Sequence, residues 1–321
     1  MSTPRTKTIL IAVGGPTCSG KTSLVKQLCQ ILPEGDSFIV HQDDFAPPEA
    51  QLPYHPDHPE WQDWDHPPTA ILWPEFYRAL LHSKAHGEPS PEVQSHDHLN
   101  VQSEEEKKKV TVRDEVAGVW RERFAGLKKE LEAEAEGGER VVFGFVDGFL
   151  LYWDERCNPL YDVSFFIRVP RESLRERRET RAQYVTQTGD VWTDPPNYHP
   201  LIVWPAYVFG HRHMFQNPDG DVEQGELVRD MGSWQKDEEQ RRGGWAEGKV
   251  KELKLQSGAG KAGKEGKGKG KAVDNEDQEE IEKATASGIL HEFRPKEGPE
   301  GMEEMVDRAL GIIFDAVKMM A

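Results

Sequence analysis

The segment Gly15–Thr22 constrains this chain more than any other part of its sequence. It reads GPTCSGKT, with Gly15, four intervening positions, and then Gly20, Lys21 and Thr22. The apolar run ILIAV precedes it, and apolar residues at helical spacing follow it. Glycines let successive backbone N–H groups line one concave nest for anions, to which the following helix adds its positive end. The pattern predicts a strand, a phosphate-binding loop and a helix, in that order.

The side chains of this loop have separate predicted roles. The Lys21 ammonium is expected to reach the β- and γ-phosphates of a triphosphate, and the Thr22 hydroxyl is expected to bind Mg²⁺. The competing interpretation is an ordinary glycine turn, which the flanking strand and helix disfavour. The nucleotide-binding residues predicted here are Gly15, Pro16, Thr17, Cys18, Ser19, Gly20, Lys21, Thr22 and Ser23.

Strand and helix patterns alternate along much of the remaining chain. Apolar runs in SFIVH, RVVFGFVDG, DVSFFIRV and GILHEF predict buried parallel strands, and the segments between them include amphipathic helices. This alternation predicts an α/β fold, a parallel β-sheet of the P-loop NTPase type flanked by helices. Ligands of such sheets bind beyond the carboxyl ends of the strands, where the phosphate loop falls.

Acidic residues follow two of the predicted strands. HQDDF contains Asp43 and Asp44, and FVDGF contains Asp147. A kinase needs one carboxylate to accept the proton of the acceptor hydroxyl and others to hold Mg²⁺. Asp43 and Asp147, at the ends of two predicted strands, are the candidates for these tasks, and Lys21 of the loop is expected to act as a further catalytic residue on the transferring phosphate. We expect Thr22, Asp43 and Asp147 to surround the metal. The alternative is that Asp43 or Asp44 only caps a loop or helix.

Two further segments are candidates for contact with substrates. RESLRERRETR predicts an arginine-rich helix. Such a helix can fold over a nucleotide as a lid that neutralises the transferring phosphoryl group, or it can be a solvated helix with internal ion pairs. The loop YHPDHPEWQDWDHPP combines aromatic and acidic residues. Its tryptophans suit a planar, cationic ring, although they can equally pack the loop against the core.

Composition narrows the classes of partner. The chain has 57 acidic and 40 basic residues, a net charge of −17, which argues against general binding of nucleic acid or anionic membranes. Its three cysteines have no spacing pattern, and its first apolar run is too short for a membrane span, so we expect a cytoplasmic protein. We expect a kinase core at 1–215, a low-complexity insertion at 216–287 that is disordered in its middle, and a strand and helix at 288–321 that complete the core.

The order of these motifs resembles that of the nicotinamide riboside kinases, which belong to the uridine-kinase-like group of P-loop kinases. The resemblance rests on GGPTCSGKTSL, HQDDF, WDHPPTA, VDGFLLY and RERRETR, and it covers residues 7–80 and 140–215 well. It implies phosphorylation of the ribose 5′-hydroxyl of nicotinamide riboside with ATP and Mg²⁺, in the biosynthesis of NAD. Nicotinic acid riboside is a second expected substrate.

The resemblance also implies roles for residues that bind the acceptor. The family's catalytic aspartate corresponds to Asp43, and Asp44 and Phe45 fall in its substrate loop. An aromatic residue and an acid that hold the ring and the ribose correspond to Trp64 and Asp65. These five residues are therefore expected to contact the small-molecule substrate.

In the lid, the resemblance assigns one arginine to the acceptor and two to the nucleotide. Arg178 corresponds to the arginine that faces the substrate, whereas Arg177 and Arg181 correspond to those that face ATP. The chain departs from the family at Asp147, where the family has a glutamate, and at Ala46, where its substrate loop has a second aromatic residue.

Two alternatives remain open at this point. One is another small-molecule kinase of the same group, acting on uridine, cytidine or pantothenate. The other is a nucleotide-binding regulator without catalysis. A GTPase is disfavoured because the chain has no Asn-Lys-x-Asp segment to read guanine.

Overall fold

The structure, a computed structural model, describes residues 6–99, 110–134, 140–180, 184–185, 191–217, 222–244 and 288–320. Its strands are β1 (Thr6–Gly14), β2 (Ser37–His41), β3 (Arg140–Gly148), β4 (Val163–Ile167), β5 (Tyr184–Val185), β6 (Val191–Trp192) and β7 (Leu290–Phe293). Its α-helices are α1 (Lys21–Ile31), α2 (Pro67–Ala70), α3 (Trp73–His86), α4 (Asp114–Glu134), α5 (Arg171–Thr180), α6 (Trp204–His211), α7 (Glu238–Arg242) and α8 (Pro299–Met319). Within these ranges, no helix is both long and apolar enough to cross a lipid bilayer.

Five of the strands form one sheet in the order β2-β3-β1-β4-β7, and every neighbouring pair in it is parallel. The predicted α/β fold with a parallel sheet is therefore confirmed. The remaining two strands, β5 and β6, form a separate antiparallel pair.

Helices cover both faces of the five-stranded sheet. Side chains alternate between the faces, so that Phe165 packs into the apolar core with α1, α4 and α8 while Phe166 packs into the core on the opposite face, with α3. Because both faces are covered, the inner strands contain apolar runs such as ILIAV of β1 and VVFGFV of β3, as the sequence pattern predicted.

The strand register brings the predicted site residues to one edge of the sheet. Asp147, near the end of β3, lies beside Val13 of β1 on one side and beside His41 of β2 on the other. The chain then leaves β1 into the phosphate loop and leaves β2 into a 3-10 turn at Gln42–Phe45. Asp43 and Asp44 are therefore in this turn, directly after the strand.

The first part of the expected insertion at 216–287 packs against the core. Val222 and Leu227 are buried among the residues of the second core. Arg168, at the end of β4, is 5 % exposed and donates hydrogen bonds to the backbone carbonyls of Val222 and Glu223 at 2.8 and 2.6 Å. These backbone contacts order a segment that is poor in apolar residues. Residues 245–287, with the lysine- and glycine-rich tract, lie outside the described residues.

Candidate active site

The phosphate loop connects β1 to α1 by way of two glycines that other residues could not replace without strain. Gly15 has a φ of +145°, and a Cβ atom there would lie 2.5 Å from the carbonyl oxygen of Ile167. Gly20 has a φ of +95° directly before α1. A left-handed conformation also occurs at Cys18, with a φ of +59°, although this residue is not a glycine. The alternation of backbone conformations is that of a loop that turns its N–H groups inward.

Lys21 and Thr22 are the first two residues of α1, directly after the phosphate loop. Lys21 is 8 % exposed, and its Nζ donates a hydrogen bond to the carbonyl of Pro16 at 2.9 Å, so the ammonium lies across the loop. The Thr22 hydroxyl donates to Oδ2 of Asp147 at 2.6 Å. Because its hydrogen is directed to the carboxylate, the hydroxyl oxygen keeps its lone pairs for a metal ion.

Asp147 accepts a second hydrogen bond at the same oxygen. His41 Nδ1 lies 3.2 Å from Asp147 Oδ2. Burial alone would raise the pKa of Asp147, but the hydrogen bond from His41 and the charge of Lys21 outweigh burial and hold that pKa below its usual value. The same contact raises the pKa of His41, against the opposing effect of burial. Asp147 is therefore an ionised carboxylate beside the loop.

These residues fit a magnesium ion that is bound partly by phosphate. Thr22 and Asp147 offer oxygen atoms, which Mg²⁺ prefers, and the negative charge of Asp147 is maintained despite burial. No three carboxylate, histidine or cysteine groups of the described residues form a metal cage of their own. Mg²⁺ in phosphoryl-transfer enzymes is commonly held by one or two carboxylates, by water and by the substrate phosphates.

Asp43 and Asp44 face different surroundings, although they are adjacent in the turn after β2. Asp43 is half-buried, and its charge contributes to raising the pKa of Asp65. Asp44 is buried and accepts a hydrogen bond from the backbone N–H of His96 at 3.0 Å, with His96 Nδ1 2.7 Å away. The contacts of Asp44 favour a role in holding the segment around residue 96 rather than in binding a nucleoside.

Phe45, the last residue of the turn after β2, packs in the core. The Phe45 ring is 3 % exposed and packs edge-on against Phe76, with 5.1 Å between ring centroids. This position favours a core role over the predicted contact with the acceptor. In the loop, Thr17 is half-buried, whereas Ser19 and Ser23 are buried.

Asp65 contacts the arginine-rich helix, and Trp64 precedes Asp65 in the chain. Arg178 of α5 places Nη1 3.4 Å from Asp65 Oδ1, and it binds Asp194 through Nε and Nη2. Asp65 Oδ2 is buried and has no hydrogen-bond partner among the described residues. Burial raises the pKa of Asp65 even though the Arg178 charge opposes it. The half-buried Trp64 ring lies 5.6 Å from that of Trp192.

The lid helix also contacts the phosphate loop. Arg177 Nη1 donates a hydrogen bond to the carbonyl of Cys18 at 3.3 Å. Leu174 of the same helix lines a small cavity together with Thr17 and Asp65, whose volume of about 20 Å³ is close to that of a single water molecule. In this structure the described residues therefore enclose little space between the lid helix and the phosphate loop. Arg181 lies outside the described residues.

The structure adds contacts of residues to which the sequence analysis gave no role. His41 contacts Asp147, Asp194 contacts Arg178, and Asp97 forms an ion pair with Lys26 of α1 at 2.7 Å. A polar residue at the last position of a strand was the only signal for His41. Asp97 had none, because the polar segment around it has no periodic pattern.

Comparison with known proteins relates the chain to one group of enzymes. It is 33 % identical over 213 residues to a nicotinamide riboside kinase of Schizosaccharomyces pombe, a match that covers 66 % of this chain and 83 % of that protein. It is 29 % identical over 212 residues to a nicotinamide riboside kinase of Eremothecium gossypii, covering 66 % and 79 %. The match to the human nicotinamide riboside kinase 1 is 24 % over 202 residues, covering 63 % and 76 %. No family model matches the chain.

Proposed function

The chain belongs to the family of nicotinamide riboside kinases, and from this premise we propose that it transfers the γ-phosphoryl group of ATP to the 5′-hydroxyl of nicotinamide riboside. The products are ADP and nicotinamide mononucleotide, a precursor of NAD. The observation that carries this proposal is the hydrogen bond from Thr22 to Asp147 beside the glycine loop, because it joins a phosphate nest to a magnesium-binding carboxylate.

On the donor side, the backbone amides of the loop and the N-terminus of α1 hold the phosphates of ATP. Lys21, whose ammonium now rests on the Pro16 carbonyl, pairs with the β- and γ-phosphates. Thr22, Asp147 and Asp43 would hold Mg²⁺, which would supply neutralisation of the charge on the transferring phosphoryl group. Arg177 and Arg181 of the lid segment complete the nucleotide site, and the contact of Arg177 with Cys18 supports this assignment.

On the acceptor side, the Asp43 carboxylate accepts the proton of the 5′-hydroxyl. The hydroxyl oxygen forms a bond to the γ-phosphorus, while the bond from that phosphorus to the β–γ bridging oxygen breaks and ADP leaves. Asp65 binds the ribose hydroxyls through the oxygen that has no partner, and Trp64 stacks on the nicotinamide ring. Arg178 faces the acceptor, which its contact with Asp65 supports.

The acceptor side of the site contains carboxylates that suit a cationic nucleoside. Asp65 and Asp194 both contact the guanidinium of Arg178, and Asp43 lies close enough for its charge to raise the pKa of Asp65. The nicotinamide ring of the riboside is cationic, whereas uracil and cytosine rings are neutral, so carboxylates in this position favour nicotinamide riboside. Nicotinic acid riboside is a second proposed acceptor. The three unpaired cysteines support a location in the reducing cytoplasm.

An acceptor screen tests this function directly. The full chain is incubated with ATP and Mg²⁺ and with nicotinamide riboside, nicotinic acid riboside, uridine or cytidine, and ADP release is measured. We expect release that depends on nicotinamide riboside and a phosphorylated product identified by mass spectrometry. Phosphorylation of uridine without phosphorylation of nicotinamide riboside would refute the acceptor, and ATP binding without any acceptor-dependent release would refute catalysis. Replacement of ATP by GTP in the same assay identifies the preferred donor.

A further inference from the structure

An imidazole lies next to the proposed magnesium site, and the reaction as described gives it no role. His41 is the last residue of β2, and the parallel register places it directly beside Asp147 of β3. Its side chain is 11 % exposed, so it is held within the protein at the edge of the sheet. Many residue types can end a strand, but the contacts of His41 give its imidazole a specific role at this position.

His41 and Thr22 converge on one atom. The Thr22 hydroxyl donates to Asp147 Oδ2 at 2.6 Å, and His41 Nδ1 lies 3.2 Å from the same oxygen. Because an ionised carboxylate only accepts hydrogen bonds, His41 must carry a hydrogen on Nδ1. Two donors from different elements, α1 and β2, thus fix the rotation of a short side chain, and neither uses Oδ1.

A second carboxylate, that of Asp97, lies near the other ring nitrogen of His41. Asp97 Oδ2 lies 4.0 Å from His41 Nε2, and the same oxygen is 2.7 Å from Nζ of Lys26. Lys26 belongs to α1, the helix that begins at the phosphate loop. The contacts therefore run from Lys26 through Asp97, His41 and Asp147 and return to α1 at Thr22.

The segment that carries Asp97 is itself attached to the catalytic turn. The neighbouring residue, His96, is buried and contacts Asp44 through its backbone N–H and its ring. Asp44 directly follows the proposed catalytic Asp43 in the chain. The position of Asp97 behind His41 is consequently fixed by two attachments, one to α1 and one to the turn after β2.

We propose that His41, supported by Asp97, is a positioning residue that holds the Asp147 carboxylate against Thr22 and so prepares the protein to bind ATP together with Mg²⁺. This proposal depends on the proposed function only in that Thr22 and Asp147 face the metal. His41 touches neither substrate and acts through Asp147. Outer partners of this kind orient metal-binding carboxylates, and their removal typically weakens metal affinity by about 10- to 100-fold.

The test measures binding of ATP, with and without the metal, to the full chain by isothermal titration calorimetry. In His41→Ala, we expect the Kd for ATP in the presence of Mg²⁺ to rise about tenfold, while the Kd for ATP in EDTA stays within about twofold of wild type. A purely structural role would weaken both equally, because metal-free ATP still needs an intact phosphate loop.

Two further variants test the Nδ1–H donor of His41 separately from the size of its ring, and the contribution of Asp97. Asn places an amide N–H close to the position of Nδ1, so His41→Asn should keep binding with Mg²⁺ within about threefold of wild type. Asp97→Asn should give a smaller loss than His41→Ala. The matched control is His98→Ala, since His98 is exposed in the same segment and its ring contacts only the carbonyl of Ser95 in the contacts that the structure gives for it.

The proposal is overturned if His41→Ala leaves binding with Mg²⁺ unchanged, if it weakens binding in EDTA by the same factor, or if His41→Asn is as defective as His41→Ala. No acceptor is present in these titrations. A chain that binds ATP with Mg²⁺ in this manner but fails to phosphorylate nicotinamide riboside would therefore refute the proposed function alone.

Discussion

The Asp43 carboxylate lies in the turn after β2, in a region that also contains Asp65 and the lid arginine Arg178. It is half-buried, and its charge is felt at Asp65. A residue in this position can be reached by a hydroxyl that enters between the strand ends and the lid. Its isosteric amide, asparagine, keeps the shape of the side chain but cannot accept the proton of that hydroxyl.

Asp43→Asn should therefore lower kcat for nicotinamide riboside by about 10²- to 10⁴-fold, because general-base catalysis contributes about that much. The melting temperature should change by less than about 2 °C. Steady-state kinetics and thermal unfolding check both expectations. The control is Asp57→Asn in an exposed part of the loop that precedes α2. A kcat within tenfold of wild type would show that another group accepts the proton.

A second single residue, His213, makes the stability of the folded protein depend on pH. It is 5 % exposed, between the Tyr152 carbonyl and the Gln240 amide, each 3.3 Å from a ring nitrogen. Burial, assisted by the charge of Lys236, lowers the pKa of His213 to about 3. The folded protein keeps this ring neutral, whereas the unfolded chain binds a proton at its ordinary pKa of about 6.5. The contribution of His213 to stability is thus present above pH 6.5 and is lost as the pH falls from there towards 3.

Between pH 7 and pH 5, this residue should remove about 2 kcal/mol from the free energy of unfolding of the wild-type protein. In His213→Gln, the free energy of unfolding should start lower at pH 7 and fall by about 2 kcal/mol less over the same range. Urea unfolding at several pH values measures the difference, with His98→Gln as the exposed control. Parallel pH curves for wild type and His213→Gln would contradict the expectation.

Single residues differ in how far the sequence could place them. Lys21 and Thr22 could be placed at the phosphate loop from the loop pattern, and Asp147 could be placed beside it from the strand that ends in an acid. The pairing of Asp44 with His96 could not be predicted, because 52 positions separate the two residues and the segment around His96 has no periodicity. The role of Asp44 and Phe45 in binding the acceptor stays a prediction from the resemblance, which gave no sign of their contacts with His96 and Phe76.

Among the elements, the lid helix α5 has features of both structures that its sequence allowed, a solvated helix with internal ion pairs and a helix that contacts the site. Arg175 forms ion pairs with Glu172 and Glu179 on the exposed side, as in a solvated helix. Arg178, less than one turn further on, is largely buried between Asp65 and Asp194. The sequence predicted the helix, but it did not predict which of its arginines is exposed and which is buried. The partners of Arg178 come from two other segments of the chain.

Arg178→Lys should raise the KM for nicotinamide riboside about tenfold while leaving the KM for ATP within about twofold. An ammonium group cannot bind Asp194 through two nitrogens and face Asp65 with a third, as the planar guanidinium does. Initial-rate kinetics with each substrate varied in turn measure the two constants. Arg175→Lys on the exposed side of the same helix is the control. An equal rise in both KM values would indicate a general disturbance of the lid instead.

For the whole molecule, the alternation of strands and helices was sufficient to predict the parallel sheet. The packing of residues 222–244 was not predictable, because that segment offers few apolar residues and its first residues are held through backbone carbonyls. Arg168 supplies those contacts from the end of β4. Every residue has a backbone carbonyl that can accept a hydrogen bond, so the residue types in this segment do not indicate that Arg168 binds there.

Replacement of residues 245–287 by a glycine–serine linker of about ten residues should leave kcat/KM within about twofold and the melting temperature within about 3 °C. The segment contains lysine and glycine with few apolar residues, and none of the described site residues belongs to it. Thermal unfolding and steady-state kinetics check both values. A second variant that also loses 222–244 should unfold readily, since it removes the partners of Arg168 and the buried Val222 and Leu227. A strongly destabilised first variant would show that 245–287 supports the core.

The helix α8, near the end of the sequence, packs against α1 and α4, close to where the phosphate loop begins its helix. A nascent chain emerging from the ribosome has therefore synthesised α1 long before the helix that packs against it is available. Pairing across so long a stretch of sequence slows folding and leaves the apolar side of α1 exposed to chaperones in the meantime. It also means that two polypeptides, divided between residues 244 and 288 and produced together, carry complementary surfaces through which they can reassemble into one enzyme.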